Sequence, residues 1–178
     1  MSSRFLIGEG ISRVENIRTL PLEDKGLEVY TGWNEAIARQ LVERSKEEEI
    51  RRYTGRDARE RFVDAEAAER WYYEKGHVVY ALGKKATLEG IIWFTHTPRP
   101  EVGAEYTFAI RMYEAQRGKG LAGAFLEAAH KDFASRMRYE DSFWLETDED
   151  NQRALRFYEK HGYELVRSSG GRQLLVRK

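Results

Sequence analysis

The chain has 178 residues, 30 of them Lys or Arg and 30 Asp or Glu, with no Cys, 15 Gly, 3 Pro and 12% aromatics. At that length a fold hides roughly two-thirds of the surface its unfolded form exposes, so a single domain with one sizeable core needs no staples. The missing cysteines exclude disulfides and thiolate metal sites. Balanced charge excludes a global pull toward nucleic acid or anionic membrane, and matched signs with many aromatics argue against disorder. Met1 to Gly10 holds only Phe5, Leu6 and Ile7 as an apolar group, which is no secretory signal. The longest clean apolar run, Ile91 to Phe94, is far short of the roughly 18 residues of a membrane span, so a cytoplasmic location is expected.

In chain order, the first strand is Leu27 to Thr31. Gly32 then leads into a helix with Asn34 as N-cap and Trp33, Ile37 and Leu41 on one face. From Arg44 to Arg61 acids and bases mix at short spacing, which reads as a solvated helical surface; the other reading, arginines that bind an anionic partner, is disfavoured by Glu47, Glu48 and Glu49 among them. Asp64 caps a second helix through Lys75, with Ala65, Ala68, Trp71 and Tyr72 on one face and Gly76 as the stop. The period then changes to two: Val78 to Leu82 and Leu88 to Thr95 read as strands joined by a turn at Gly83, Lys84 and Lys85. Tyr106 to Met112 is a third strand, and a loop at Gln116 to Gly120 opens a helix from Leu121 to about Met137. That helix carries Leu121, Phe125, Ala129 and Phe133 inward. A strand at Phe143 to Glu146, a helix from Asn151 to His161 stopped by Gly162, and a hairpin of Tyr163 to Arg167 with Gln173 to Val176 complete the order. After Leu27 this is β-α-α-β-β-β-α-β-α-β-β, an α/β mixture with antiparallel strands first and a β-α-β crossover late.

The most chemically loaded segment is Gln116-Arg117-Gly118-Lys119-Gly120-Leu121-Ala122. It leaves a strand and enters a helix, where unsatisfied N–H groups face outward and favour an anion. Gly118 and Gly120 allow close backbone approach, Arg117 and Lys119 add positive charge, and Ala122 and Gly123 keep the first turn small. A Walker A loop is excluded, because Gly120 stands where Ser or Thr is needed. A dinucleotide fingerprint fits numerically with Gly123 as its third glycine, but the segment lies late in the chain and lacks the surrounding first βαβ unit. By letters alone, a pyrophosphate cradle and a flexible turn into a helix remain even alternatives.

A second constellation, Asn151-x-x-Ala154-x-x-Phe157-Tyr158-Glu159-Lys160-x-Gly162-Tyr163, decides between them. With Arg117 to Ala122 it resembles the GNAT superfamily of N-acetyltransferases, specifically over Glu105 to Tyr163 and in element order from Leu27 onward. The resemblance implies an α/β (α+β) fold, a central mixed, mostly antiparallel sheet flanked by helices. Residues 27–178 would form the acetyltransferase domain and residues 1–26 an accessory segment. It implies acetyl-CoA as cosubstrate, no metal, an amine acceptor (small molecule or peptide) and no nucleic acid or membrane partner, with a homodimer left open.

Residue by residue, the resemblance gives Ile110 and Met112 backbone groups that pair with pantetheine. It gives Gly118, Lys119, Gly120, Leu121 and Ala122 N–H groups for pyrophosphate, with Arg117 completing the anion site. Tyr113 and Glu114 stand where many relatives have a proline. Asn151 reads both as a helix N-cap and as a pantetheine contact. Tyr158, seven residues on and so on the same helix side, would protonate the departing thiolate; its other reading is a buried aromatic beside Leu155, Phe157 and Tyr163. An alkyl ammonium of pKa about 10.4 is almost wholly protonated at neutral pH, a handicap of roughly 4 to 5 kcal/mol, so a proton acceptor is wanted. Glu105 is the nearest candidate, set against a solvent-facing strand start and a register that can fall on Ala104. Glu146, Asp148 and Asp150 are rivals. His77, His96, His130 and His161 share no metal spacing, and no nucleophile elbow is present. The reading is direct attack of a primary amine on acetyl-CoA in a ternary complex. An inactive acyl-CoA-binding module of the same fold and an interaction protein with purely structural glycines are the alternatives.

Overall fold

Alternation in Val79-Tyr80-Ala81-Leu82 and Ile91-Ile92-Trp93-Phe94 sends successive side chains to opposite faces of a sheet. In the computed structural model, which describes residues 15–19, 27–84, 86–139 and 142–178, both faces are covered. Val79, Ala81, Ile91 and Trp93 pack with Ile37, Leu41 and Phe62 on one side. Tyr80, Leu82, Ile92 and Phe94 pack with Phe125, Ala129 and Phe133 on the other. Double coverage is why these strands are almost continuously apolar.

The strands are β1 (Glu15–Thr19), β2 (Leu27–Thr31), β3 (Val78–Lys84), β4 (Thr87–Arg99), β5 (Ala104–Met112), β6 (Ser142–Asp148), β7 (Glu164–Ser169) and β8 (Arg172–Arg177). They form one sheet in the order β1-β2-β3-β4-β5-β6-β8-β7. Every neighbouring pair is antiparallel except β5 with β6. Helices α1 (Glu35–Arg44), α2 (Glu48–Thr54) and α3 (Ala65–Glu74) precede β3, α4 (Leu121–Met137) joins β5 to β6, and α5 (Gln152–Lys160) joins β6 to the last hairpin. The expected caps form: Ile37 N–H donates to Asn34 Oδ1 at 2.9 Å and Ala67 N–H to Asp64 Oδ1 at 2.8 Å. Gly76, at φ +59°, stops α3.

Three differences from the sequence reading bear on function. The Arg44 to Arg61 segment is not one solvated surface: it breaks into α2 and a π-helical turn, Asp57–Arg61, that buries Asp57 at 1% exposure. Strand β4 continues past Thr95 because a register shift between His96 and Arg99 lets Arg99 rejoin Ala104. Part of the accessory segment, β1, pairs with β2 as an edge of the same sheet. The rest of residues 1–26, including the Met1 to Gly10 stretch, and Lys85 of the expected turn lie outside the described residues. Among the described residues no helix is long and apolar enough to cross a membrane.

Candidate functional site

Strands β5 and β6 are paired at Ala104↔Ser142, Tyr106↔Phe143 and Thr107↔Trp144, and pairing stops there. Beyond Thr107 the two strands part. The gap is the floor of a cleft of about 2430 Å³, bordered by Phe108 to Met112 on one side and Trp144 to Asp148 on the other. The β4–β5 ladder decides what β5 shows to that gap. Tyr113 N–H donates to Glu89 C=O at 3.0 Å, which makes the Met112↔Gly90 pair a non-hydrogen-bonded one. By alternation the N–H and C=O of Met112 and Ile110 therefore turn away from β4, toward the parted strand. The Ile110 and Met112 carbonyls accept from Arg111 Nη1 (3.1 Å) and Arg117 Nε (2.9 Å).

At the open end of the cleft a short 3-10 turn, Glu114–Gln116, delivers the chain to Arg117 and the two glycines. Gly118 (φ +74°) and Gly120 (φ +73°) occupy the left-handed region, and a Cβ added at either would meet nothing within 4 Å. Gly120 is the N-cap of α4 and offers no side-chain cap. The first-turn N–H groups of a 17-residue helix thus begin beside the cleft, where Leu121, Ala122 and Ala124 line it. Gly123 has a packing reason: a Cβ there would come within 2.6 Å of the His161 ring. Lys119 is exposed and does not line the cleft. Arg117 does line it, but its guanidinium is held by Glu47 and, at 3.1 Å, by Glu49. Glu49 also reaches Arg153 of α5 at 3.1 Å, tying the loop to the far side of the cleft.

Asn151 and Tyr158, seven residues apart on α5, both line the cleft. Asn151 caps the helix, accepting from Ala154 N–H at 3.1 Å. Tyr158 packs edge-on against Phe108 and Tyr163, with ring centroids 6.0 and 5.8 Å away. Burial raises its phenol to about 12 despite the opposing Arg111 charge, so it stays protonated at neutral pH. Glu105 is not brought to this place. It lies where β5 and β6 are still paired, its side chain 62% exposed and 3.8 Å from His96 Nε2, beside a separate shallow depression formed with Pro98, Gly103 and Tyr139. Glu146 and Asp148 do border the cleft, Glu146 held by Arg99 at 2.7 Å and Asp148 by Arg172 at 2.5 Å. Asp150 does not line it.

Four residues of this region went unmarked in the sequence reading as site residues. Arg111, its side chain 10% exposed, bonds Asp57 through Nε at 2.8 Å, and Arg61 bonds the same carboxylate at 2.9 Å. Burial pushes Asp57 up, and the two guanidiniums more than reverse it, holding the carboxyl below its usual range. A lone arginine inside the apolar strand Tyr106 to Met112 was the available signal. His77 stacks on Trp71 at 4.1 Å and shares a 2.7 Å hydrogen bond with Thr95 Oγ1. Its Nε2 is buried without a partner. Burial first, then the charges of Arg61 and Lys75, lowers the imidazole to about 4, so the ring is neutral. His130, expected on a solvated or interfacial helix face, is buried in the core and bonded to Tyr163 OH at 2.8 Å.

The family model for the acetyltransferase (GNAT) family matches residues 38–163. Among solved structures, AAC(6')-Ib in complex with paromomycin and acetyl-CoA superposes with a TM-score of 0.67 at 17% identity, over 86% of this chain and 94% of that one. YncA from Salmonella typhimurium with its cofactor acetyl-CoA gives 0.66 at 15%, over 86% and 94%. RimL, the ribosomal L7/L12 alpha-N-protein acetyltransferase, in complex with coenzyme A, gives 0.66 at 16%, over 92% and 97%. At these identities the likeness is one of fold. No curated protein sequence matches the chain.

Proposed function

The chain belongs to the acetyltransferase (GNAT) family, and on that footing we propose that it moves the acetyl group of acetyl-CoA to a primary amine by direct attack within a ternary complex. The observation that carries this reading is the parting of β5 from β6 with three things along it: outward backbone groups at Ile110 and Met112, a glycine-lined helix start, and a protonated Tyr158. Acetyl-CoA supplies an activated thioester. Ile110 and Met112 pair with the pantetheine amides as a substitute for the missing β6 neighbour. Gly118 to Ala122 direct N–H groups at the pyrophosphate, and Asn151 holds the arm from α5.

The amine nitrogen forms a bond to the acetyl carbonyl carbon and gives up its second proton to water, the C–S bond breaks, and the sulfur keeps its electron pair. Tyr158 gives its phenolic proton to that sulfur and is reprotonated from solvent. The ammonium proton of the acceptor leaves to water in the open cleft, since Glu105 stands outside it and Glu146 and Asp148 each hold an arginine. A pH profile checks this last step: kcat/KM should climb about tenfold per pH unit toward an acceptor pKa of about 10. A plateau near neutrality would assign the base to the protein, with Glu146→Gln the first replacement to make.

Thiol release from acetyl-CoA across a panel of amines tests the whole reading. Tyr158→Phe should lower kcat by about 10² to 10⁴ while leaving CoA affinity intact. CoA at one hundred times its Kd should stabilise the fold by about 2.7 kcal/mol. Stabilisation by CoA without transfer to any amine would leave a binding module of the same fold.

A further inference from the structure

From Ile50 to His77 the wall of the cleft has one sign of charge; the two acids just before it that also line the cleft are Glu48 and Glu49, and Glu49 is paired with Arg117 and Arg153. Between Ile50 and Met112 every Arg, Lys, Asp or Glu that lines it is basic, Arg51, Arg52, Arg59, Arg61 and Lys75 among them. The acids of this stretch do not line the cleft: Glu60 pairs with Arg56, which does line it and so adds no surplus charge, and Asp57 is buried. One carboxylate, Asp57, answers two guanidiniums, Arg111 and Arg61, so the pair of arginines keeps a surplus positive charge. Both guanidiniums lie over the Trp93 ring, at 4.8 and 5.8 Å from its centroid, which fixes their positions. His77, in the same wall, is neutral and carries the buried, unpartnered Nε2. On the facing wall Glu146 and Asp148 are already bound by Arg99 and Arg172. The acidic strand end expected to attract a cationic amine is thus neutralised from within.

We infer that the acceptor of this site is an anionic amine, a primary amine that carries carboxylate or phosphate groups, which the Arg59–Arg61–Lys75 wall draws in and holds. The inference rests on the acetyl-transfer reading and names its substrate class. Positive charge around the cleft steers an anion and is hostile to a polycation. It also disfavours the ammonium form of the attacking nitrogen, which helps to expose the lone pair the reaction needs.

The test uses the full chain and acetyl-CoA with three kinds of acceptor: a polyamine, spermidine; free amines carrying carboxylate or phosphate, glutamate and phosphoethanolamine; and a short peptide whose N-terminus is followed by glutamates, beside its lysine counterpart. The anionic amines should be acetylated at a kcat/KM at least tenfold above spermidine and should lose that advantage as salt is raised. The free and peptide arms distinguish a small molecule from an acidic chain end as the source. Arg59→Glu with Lys75→Glu, both at exposed positions, should raise acceptor KM at least tenfold and leave the Kd of CoA unchanged. A preference for spermidine, an unchanged acceptor KM, or a loss confined to CoA binding would each overturn the inference. If CoA binds but no amine is acetylated, the acetyl-transfer reading has failed. Binding of glutamate and phosphoethanolamine to the CoA complex, abolished by the double substitution, then still decides whether the wall is an anion site.

Discussion

The wall from Phe108 through Gly120 to Ala124 offers the cleft outward backbone groups at Ile110 and Met112 and a glycine-opened helix start, whereas the wall from Ile50 to His77 brings basic side chains to it. The first is shaped by strand parity, two positive-φ glycines and a helix start. The second is shaped by arginines held over a tryptophan and by one buried carboxylate. Recognition by backbone suits a constant ligand, because N–H groups have no identity to change. Recognition by side chains suits a ligand that sets specificity, since each residue can be exchanged without rebuilding the sheet. The division fits the donor side and the acceptor side of the proposed reaction.

The sharpest way to break the comparison is to remove the carboxylate under the acceptor wall. Asp57→Ala strands the buried guanidinium of Arg111 and should cost about 3 to 5 kcal/mol, read by urea denaturation. Pairing it with Arg111→Met should recover most of that loss, because no charge is then left buried alone. A double variant as unstable as the single would mean that packing rather than charge holds the wall. Native stability should fall with acid for the same reason. The folded carboxyl is held below its unfolded value of about 3.9, so the pair's contribution is complete above roughly that pH and is lost as the pH drops below it.

On the donor wall the corresponding probe is Gly120→Val. A Cβ there meets no atom within 4 Å, so the cost to the fold is conformational, about 1 to 2 kcal/mol for a branched residue held at φ +73°. The effect on CoA should be larger than the effect on folding, more than tenfold in Kd, because the new side chain stands on the face where the pyrophosphate would approach. A stability loss with no change in CoA binding would return the two glycines to a purely structural turn.

What the sequence could say follows the same division. Strand parity, caps and glycines are local, and from them the strands from Leu27 onward, both helix caps of the first half and the glycine loop were legible, while β1 was not. The side-chain network was not. Arg117 finds Glu47, 70 positions away, and Arg111 finds Asp57, 54 positions away. Nothing in the mixed charges from Arg44 to Arg61 marks which acid goes inside. Glu105 was chosen by counting along a strand, but counting does not tell where β5 and β6 separate, and Glu105 falls on the closed side of that point. Helix α5 was read correctly as carrying Asn151 and Tyr158 to one side because periodicity is local, and the structure brings both to the cleft.

The smallest expected effect separates the two roles of Asn151. Its Oδ1 accepts from Ala154 N–H at 3.1 Å, which leaves the amide NH₂ as the donor turned to other partners. Asn151→Ala removes cap and donor together and should cost about 1 kcal/mol of stability. Asn151→Asp keeps an acceptor for the cap, and a negative charge at a helix start is favourable, so stability should be unchanged or a few tenths of a kcal/mol higher. It loses the NH₂ donor and sets a carboxylate beside the cleft. If Asn151 holds the pantetheine arm, Asp weakens CoA binding several-fold in a fold that is no less stable, and Ala weakens both. If Asn151 is only a cap, CoA titrations of the two variants coincide with the parent, and the donor wall reads its ligand through β5 and the glycine loop without help from α5.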